Sequence, residues 1–98
     1  MARINMKQLE KVVWLLNDIA GTPQEQYTRG KDGKLTPNAN CYHLSGAYGG
    51  WQLNQMCQGG GTRNVLHAGH QSKRVTYDLI HAYMSALRDM RDNRINPQ

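Results

Sequence analysis

The segment from Cys41 to Cys57 alternates between apolar and polar residues on either side of a Gly49-Gly50 pair. Such alternation is typical of strands with one buried face, and paired glycines suit the positive φ angles of a tight turn. We therefore predict an antiparallel hairpin in which Gly49 and Gly50 form the turn and Tyr48 pairs with Trp51. One face of this hairpin needs a cover, because it carries Tyr42, Leu44, Tyr48, Trp51, Leu53 and Cys57.

Two amphipathic segments flank the hairpin and are suited to cover that face. The first is predicted to be a helix with Asn5 as N-cap, Gln8 in the capping-box position and Gly21 as C-cap. The second is predicted to begin after Ser72 and to run to about Asp92. The predicted inner face of this second helix consists of Val75, Leu79, Ala82, Tyr83, Ala86, Leu87 and Met90.

The order of these elements predicts a single α+β domain over residues 1–98. After Gly59-Gly60-Gly61, residues 62–66 are expected to add a short third strand. The expected fold is a two-layer arrangement of helix, two- or three-stranded antiparallel meander and helix, with the helices on one face of the sheet.

Two segments are expected to lie outside this core. Residues 21–40 are polar and are predicted to form a mobile loop, with a small hairpin about Lys31-Asp32-Gly33 because Asp-Gly suits a tight turn. Residues 93–98 are predicted to be a frayed tail.

Positive charge is unevenly placed along the chain. Twelve Lys and Arg stand against seven Asp and Glu, yet no acidic residue occurs between Gly33 and Tyr77. The same stretch holds seven of the ten glycines and four cations, which are Lys34, Arg63, Lys73 and Arg74. A basic, glycine-rich middle of this kind favours a ligand that carries phosphate.

We predict that this ligand binds where the glycine-rich loop meets a helix N-terminus. Unpaired N–H groups at a helix start favour anions, and glycines let the backbone approach a phosphate closely. The predicted ligand-binding residues are Gly59, Gly60, Gly61, Arg63, His67, His70, Ser72, Lys73 and Arg74, with Tyr48 and Trp51 as candidates for stacking on a base. The alternative is a flexible glycine turn with solvated charges, because neither a P-loop nor a dinucleotide fingerprint occurs.

Metal binding and catalysis receive less support from the sequence. Structural zinc usually takes closely paired ligands, whereas Cys41 and Cys57 are sixteen positions apart and lie on opposite hairpin faces in the predicted register. We therefore read Cys57 as a core residue and expect no metal and no cofactor. The acid-free middle offers no pair of carboxylates for general acid–base chemistry, so we expect a binding protein and not an enzyme.

No apolar run approaches the roughly 20 residues that a bilayer span needs, and the first residues do not form a signal peptide. A cytoplasmic protein without membrane contact is therefore expected. The second face of the predicted sheet carries no helix, which makes a homodimer plausible.

The sequence Gly46-Ala47-Tyr48-Gly49-Gly50-Trp51, followed by the glycine run and by Ser72-Lys73-Arg74, resembles a group of small accessory proteins of tailed bacteriophages. The resemblance covers roughly residues 42–87 and carries no functional residue with it. It implies a viral protein in the cytoplasm of an infected bacterium, where small proteins commonly bind or block a host factor, nucleic acid or a defence signal. Nucleic acid is the first choice of ligand, and the alternatives are sequestration of a nucleotide signal and inhibition of a host protein.

Overall fold

The computed structural model describes residues 3–95, with side chains up to Arg91. The elements in chain order are helix α1 (Met6–Ala20), strands β1 (Tyr27–Arg29), β2 (Leu35–Pro37), β3 (Tyr42–Ala47), β4 (Gly50–Met56) and β5 (Thr62–Asn64), and helix α2 (Lys73–Ile95). Strands β3, β4 and β5 form an antiparallel meander, and β1 and β2 form a separate two-stranded ribbon. The predicted α+β order is confirmed. Helix α2 extends into the predicted frayed tail as far as Ile95, and residues 96–98 lie outside the described residues.

Helix α1 begins and ends where its caps predict. The Asn5 side chain accepts a hydrogen bond from the Gln8 N–H at 2.8 Å, and the Gln8 side chain accepts one from the Asn5 N–H at 2.9 Å. This capping box fixes the helix start. Gly21 ends the helix with φ +71, a left-handed conformation that glycine adopts without steric cost.

The β3–β4 hairpin is present, but its turn lies one residue earlier than predicted. Ala47 pairs with Gly50, so the two-residue loop is Tyr48-Gly49. Both loop residues have positive φ, at +53 and +73, which is the pattern of a type I′ turn. The predicted pairing of Tyr48 with Trp51 is therefore wrong.

Gly50 has a tertiary role that explains why the sequence suggested the wrong turn. A Cβ at this position would lie 3.0 Å from the backbone of His70 and Gln71. That backbone approaches because Gln71 forms a bridge with Trp51, with N···O distances of 2.7 and 2.8 Å. Gly50 thus leaves the space that the backbone of His70 and Gln71 occupies, and the turn itself lies at Tyr48-Gly49.

Both helices cover the same face of the meander, as expected. The core they share consists of Leu9, Val12, Val13, Leu16, Tyr42, Leu53, Val65, Ile80 and Met84. The face that α2 presents to the core differs from the prediction, because Val75 and Met90 are 41 and 58% exposed whereas Thr76 is buried. The Thr76 hydroxyl donates to the Trp51 carbonyl at 3.2 Å, which satisfies a polar group inside the core and turns this side of the helix inward.

Helices α1 and α2 pack side by side and run in the same direction. Residues 3–4, just before α1, border the same cleft as residues 72–74 at the start of α2. At the other end, Ile19 and Leu87 line a common recess. The two helix N-termini therefore lie at the same end of the molecule.

The segment predicted as a mobile loop contains the ribbon of β1 and β2. The predicted hairpin about Lys31-Asp32-Gly33 is present, with Arg29 paired to Leu35 on either side of it. None of the helices in the described part of the chain is long and apolar enough to cross a membrane.

Candidate phosphate-binding cleft

An open cleft of about 440 Å³ lies at the end of the molecule where both helices begin. We call it the helix-start cleft, and its lining residues are Arg3, Ile4, Gly49, Trp51, Ser72, Lys73 and Arg74. The β3–β4 turn supplies one wall of the cleft through its second residue, Gly49. Trp51 of β4, the residues just before α1 and the start of α2 supply the rest of the lining.

Backbone groups make the cleft attractive to anions. The Ser72 hydroxyl accepts from the Val75 N–H at 3.2 Å and caps α2, while the N–H groups of the first helical residues have no partner within the helix. Neither α1 nor α2 carries an acidic residue in its first turn. The N-terminus of α2 thus places its positive end at the cleft, and the residues just before α1 border the same cleft. Neither helix has a carboxylate in its first turn to neutralise that end.

Three cationic side chains border the cleft. Arg3 and Arg74 are exposed and Lys73 is half-buried, so all three are within reach of a ligand in the cleft. Arg74 and Asp78 form an i,i+4 ion pair at 4.0 Å, but both side chains are largely exposed. An ion pair of that length and exposure contributes little, and Arg74 remains able to turn toward an anion.

Tyr48 stands beside the cleft in a conformation that costs free energy. Its side chain is 97% exposed, and its φ of +53 belongs to the left-handed region where type I′ turns prefer Asn, Asp or Gly. The ring contacts His70 edge-on, with centroids 5.7 Å apart. Residues in sparsely populated backbone conformations cluster at functional sites, which makes Tyr48 a candidate contact residue.

Trp51 forms part of the cleft lining and is only half-exposed. Its indole lies against the strand opposite, because a Cβ on Gly46 would lie 2.8 Å from the Cζ3 atom of the ring. One face of the indole is therefore occupied by the glycine. Of the two residues predicted to stack on a base, Tyr48 is the one whose ring is open to solvent.

The structure does not bring Arg63 and the glycine run to this cleft. Arg63 lies opposite Gln55 in the sheet, and its Nε donates to the Gln55 side-chain oxygen at 3.0 Å. Gln55 is four residues from Trp51 along β4, a separation of about 13 Å. The predicted single site for all these residues is therefore not formed, and Ser72, Lys73 and Arg74 are the part of it that lies at the cleft.

The three glycines close the turn between β4 and β5. Gly59 and Gly60 have φ of +91 and +104, and the Cys57 N–H donates to the Gly61 carbonyl at 2.7 Å. Gly60 also lies close to Pro37, whose Cγ would be 3.2 Å from a Cβ on the glycine. These contacts give the run a structural role in the turn.

The predicted histidines also lie outside the cleft lining. His67 is exposed with φ +55, and His70 packs its ring on Tyr48. Within residues 3–95, no group of three or more His, Cys, Asp or Glu is placed to hold a metal ion. Cys41 is buried and Cys57 is partly buried, and both are free thiols.

A second groove, of about 480 Å³, lies between α1 and β3. Its acidic lining residues, Glu10 and Glu25, give it the wrong charge for phosphate. The helix-start cleft therefore remains the candidate site for an anion.

Arg3 is the cleft residue that sequence reasoning missed. It lies outside the acid-free stretch, and it borders the cleft only because α1 and α2 start side by side. The capping box at Asn5 located the start of α1, but no local signal shows which other element that start approaches.

Comparison of the chain with protein-family models, with curated proteins and with solved structures found no match.

Proposed function

We propose that this protein is a non-enzymatic binder of a phosphate-bearing ligand, with nucleic acid as the first choice, and that the helix-start cleft holds the phosphates. One observation carries the proposal: the N-terminus of α2, which has no carboxylate in its first turn, lies at a cleft bordered by Arg3, Lys73 and Arg74. The sequence resembles accessory proteins of tailed bacteriophages, and a role in the cytoplasm of an infected bacterium is part of the same proposal.

Each element of the cleft has a defined chemical role in this proposal. Arg3 and Arg74 offer planar guanidinium groups that pair with phosphate through two hydrogen bonds, and Lys73 offers a compact positive charge. The N–H groups at the start of α2 add donors aimed at an anion. Tyr48 contributes an exposed ring that packs on a sugar or an unpaired base.

A sequestered nucleotide is the second candidate ligand. The cleft volume of about 440 Å³ lies within the range of ordinary small-molecule sites, and its anion-binding groups are concentrated at one place. In an infected cell, such binding would remove a nucleotide signal used in defence. Tight binding of a mononucleotide with weak binding of long nucleic acid would favour this candidate.

The test compares two variants with equal loss of charge. In the cleft variant, Arg3, Lys73 and Arg74 are replaced by alanine. In the control variant, three exposed cations elsewhere on the helices are replaced by alanine: Lys11, Arg88 and Arg91. Fluorescence anisotropy then measures the binding of labelled single-stranded DNA, duplex DNA, RNA and a labelled mononucleotide over a range of salt concentrations.

We expect the cleft variant to bind nucleic acid much more weakly than the control variant. Because each lost phosphate contact reduces the magnitude of the negative slope of log K against log salt by about 0.9 for duplex DNA, the slope should become less negative by roughly 2 to 3. Equal binding by the two variants would refute the proposal. If the parent protein binds none of the nucleic acids or nucleotides and instead retains a host protein, inhibition of that protein replaces this proposal.

A further inference from the structure

The ribbon of β1 and β2 is a second basic element, and it carries no core on either of its faces. All ten residues from Tyr27 to Thr36 are exposed. The strands pair in register, with Tyr27 opposite Pro37 and Arg29 opposite Leu35. A two-stranded hairpin without a covered face is only marginally stable by itself, so the interactions that support it need to be identified.

Those interactions lie at the base of the ribbon. The Asn38 N–H donates to the Gln26 carbonyl at 2.8 Å, and the Asn38 side chain donates to the Glu25 carbonyl at 3.0 Å and accepts from the Thr28 hydroxyl at 3.0 Å. Pro37 lies against Gly60 of the β4–β5 turn. The ribbon is thus fixed where it leaves the domain, while the side chains along its length are open to a partner.

The exposed length of the ribbon is positively charged. Arg29, Lys31 and Lys34 stand against one carboxylate, Asp32. An oxygen of that carboxylate accepts from the Lys34 N–H at 3.0 Å and is used within the turn. The ribbon therefore presents three cations to its surroundings and has little acidic charge to offset them.

The ribbon and the helix-start cleft lie at opposite ends of β4. The ribbon base contacts the β4–β5 turn, which follows Met56, whereas the cleft is lined by Trp51 near the beginning of the strand. Trp51 and Met56 are five positions apart along the strand, which is about 17 Å. A mononucleotide in the cleft cannot reach the ribbon base over that distance, but a polymer with regularly spaced phosphates can.

We infer that the ribbon enters the major groove of B-form duplex DNA while the helix-start cleft holds phosphates of the adjoining backbone. This inference rests on the proposed function and names the form of nucleic acid. The major groove of B-form DNA, about 12 Å wide, admits a two-stranded β-ribbon, whereas that of A-form RNA is too deep and narrow. The ribbon's cations and exposed Tyr27 and Leu35 then face phosphates and base edges.

The experiment uses the full chain with duplex DNA of about two helical turns, duplex RNA of the same sequence and the matching single strand. In the ribbon variant, Arg29, Lys31 and Lys34 are replaced by alanine. The control is the triple variant at Lys11, Arg88 and Arg91, which loses the same charge. Circular dichroism checks that both variants fold, and because the replaced side chains are exposed we expect unchanged spectra.

We expect the parent and the control variant to bind duplex DNA at least about tenfold more tightly than duplex RNA or single-stranded DNA, and the ribbon variant to lose that preference. Bound parent protein should also protect guanine N7, which lies in the major groove, from methylation, and the ribbon variant should not.

Three results would overturn the inference and leave the proposed function intact. Two of them are equal affinity of the parent for duplex DNA and duplex RNA, and tighter binding of the single strand. The third is a ribbon variant that weakens binding to all three probes by the same factor, which would make the ribbon a general source of charge. Absence of binding to every nucleic acid would instead refute the proposed function and the inference together.

Discussion

Asn17 and Tyr42 are joined by two hydrogen bonds through which a helix side chain closes the edge of a strand. The Tyr42 N–H donates to the Asn17 side-chain oxygen at 2.9 Å, and the Asn17 side-chain nitrogen donates to the Tyr42 carbonyl at 2.9 Å. Thr22 also donates its hydroxyl to the same Asn17 oxygen. The amide thus takes the place of a neighbouring strand at the edge of β3, in a position that is 1% exposed.

Replacing Asn17 by alanine should destabilise the fold by about 2 to 4 kcal/mol. The change leaves the buried Tyr42 N–H without a partner and leaves its carbonyl with only the weak thiol donor of Cys41 at 3.5 Å, and each such loss costs about 1 to 3 kcal/mol. Urea unfolding followed by circular dichroism measures the free energy. Asp18→Ala is the matched control, because Asp18 is the exposed neighbour on the same helix and should change stability by no more than about 0.5 kcal/mol. If Asn17→Ala lowered the free energy of unfolding by less than Asp18→Ala does, the two hydrogen bonds would contribute nothing to stability.

Gly46→Ala should displace the indole of Trp51. The added Cβ would approach the ring to 2.8 Å, so the ring or the strand must move at a cost of about 1 to 3 kcal/mol. In a Trp14→Phe background, tryptophan fluorescence reports Trp51 alone and should change its emission maximum. Gly69→Ala is the control, because nothing lies within 4 Å of a Cβ at Gly69. Unchanged emission and stability in Gly46→Ala would contradict the close packing of this pair.

Tyr48→Asn should make the protein more stable and its ligand binding weaker. Asn tolerates the positive φ of a type I′ turn, so the change should raise the free energy of unfolding by about 0.5 to 1 kcal/mol. The exposed ring is lost at the same time, and the affinity for nucleic acid should fall. Tyr48→Phe keeps the ring and should bind like the parent. If Tyr48→Asn binds as tightly as Tyr48→Phe, the ring has no part in ligand binding.

His43 should make the fold less stable in mild acid. Burial lowers the pKa of His43 below its ordinary value of 6.5, and the Nε2 atom is buried without a hydrogen-bond partner among the described residues. A lowered pKa means that the unfolded chain binds the proton more readily. The contribution to stability is therefore fully present above about pH 6.5 and is lost as the pH falls through the lowered pKa of the folded state.

Urea unfolding at several pH values between 5 and 7.5 tests this prediction. His43→Gln should have a flatter dependence of unfolding free energy on pH than the parent. His81→Gln, a change at an exposed histidine of α2, should keep the parent's dependence. An equally steep loss of stability in His43→Gln would assign the effect to other groups.

The parts of the fold that local rules govern could be predicted from the sequence. The caps at Asn5 and Gly21 act over one helical turn, and they located α1 correctly. The alternation around β3 and β4 identified the hairpin, but the turn was misplaced because Gly50 is required by the backbone at His70 and Gln71, which approaches from another part of the chain.

The candidate site was predictable only in part, for a related reason. Ser72, Lys73 and Arg74 are consecutive, so they share a helix start whatever the tertiary structure. Arg63 was grouped with them by charge, yet strand pairing places it opposite Gln55 and away from the cleft. Arg3 joins them through the packing of two helices distant in sequence, a relationship that no local pattern encodes.

The parallel arrangement of the helices also governs how the chain acquires its structure. Helix α1 has 15 residues, a length at which an isolated helix is marginal in water. Its apolar side packs with Ile80 and Met84 of α2, and all of residues 21–72 lie between the two helices. Closing so long a segment before these contacts form is entropically costly and slows folding. During synthesis, the apolar side of α1 therefore cannot complete its core contacts until α2 has been made.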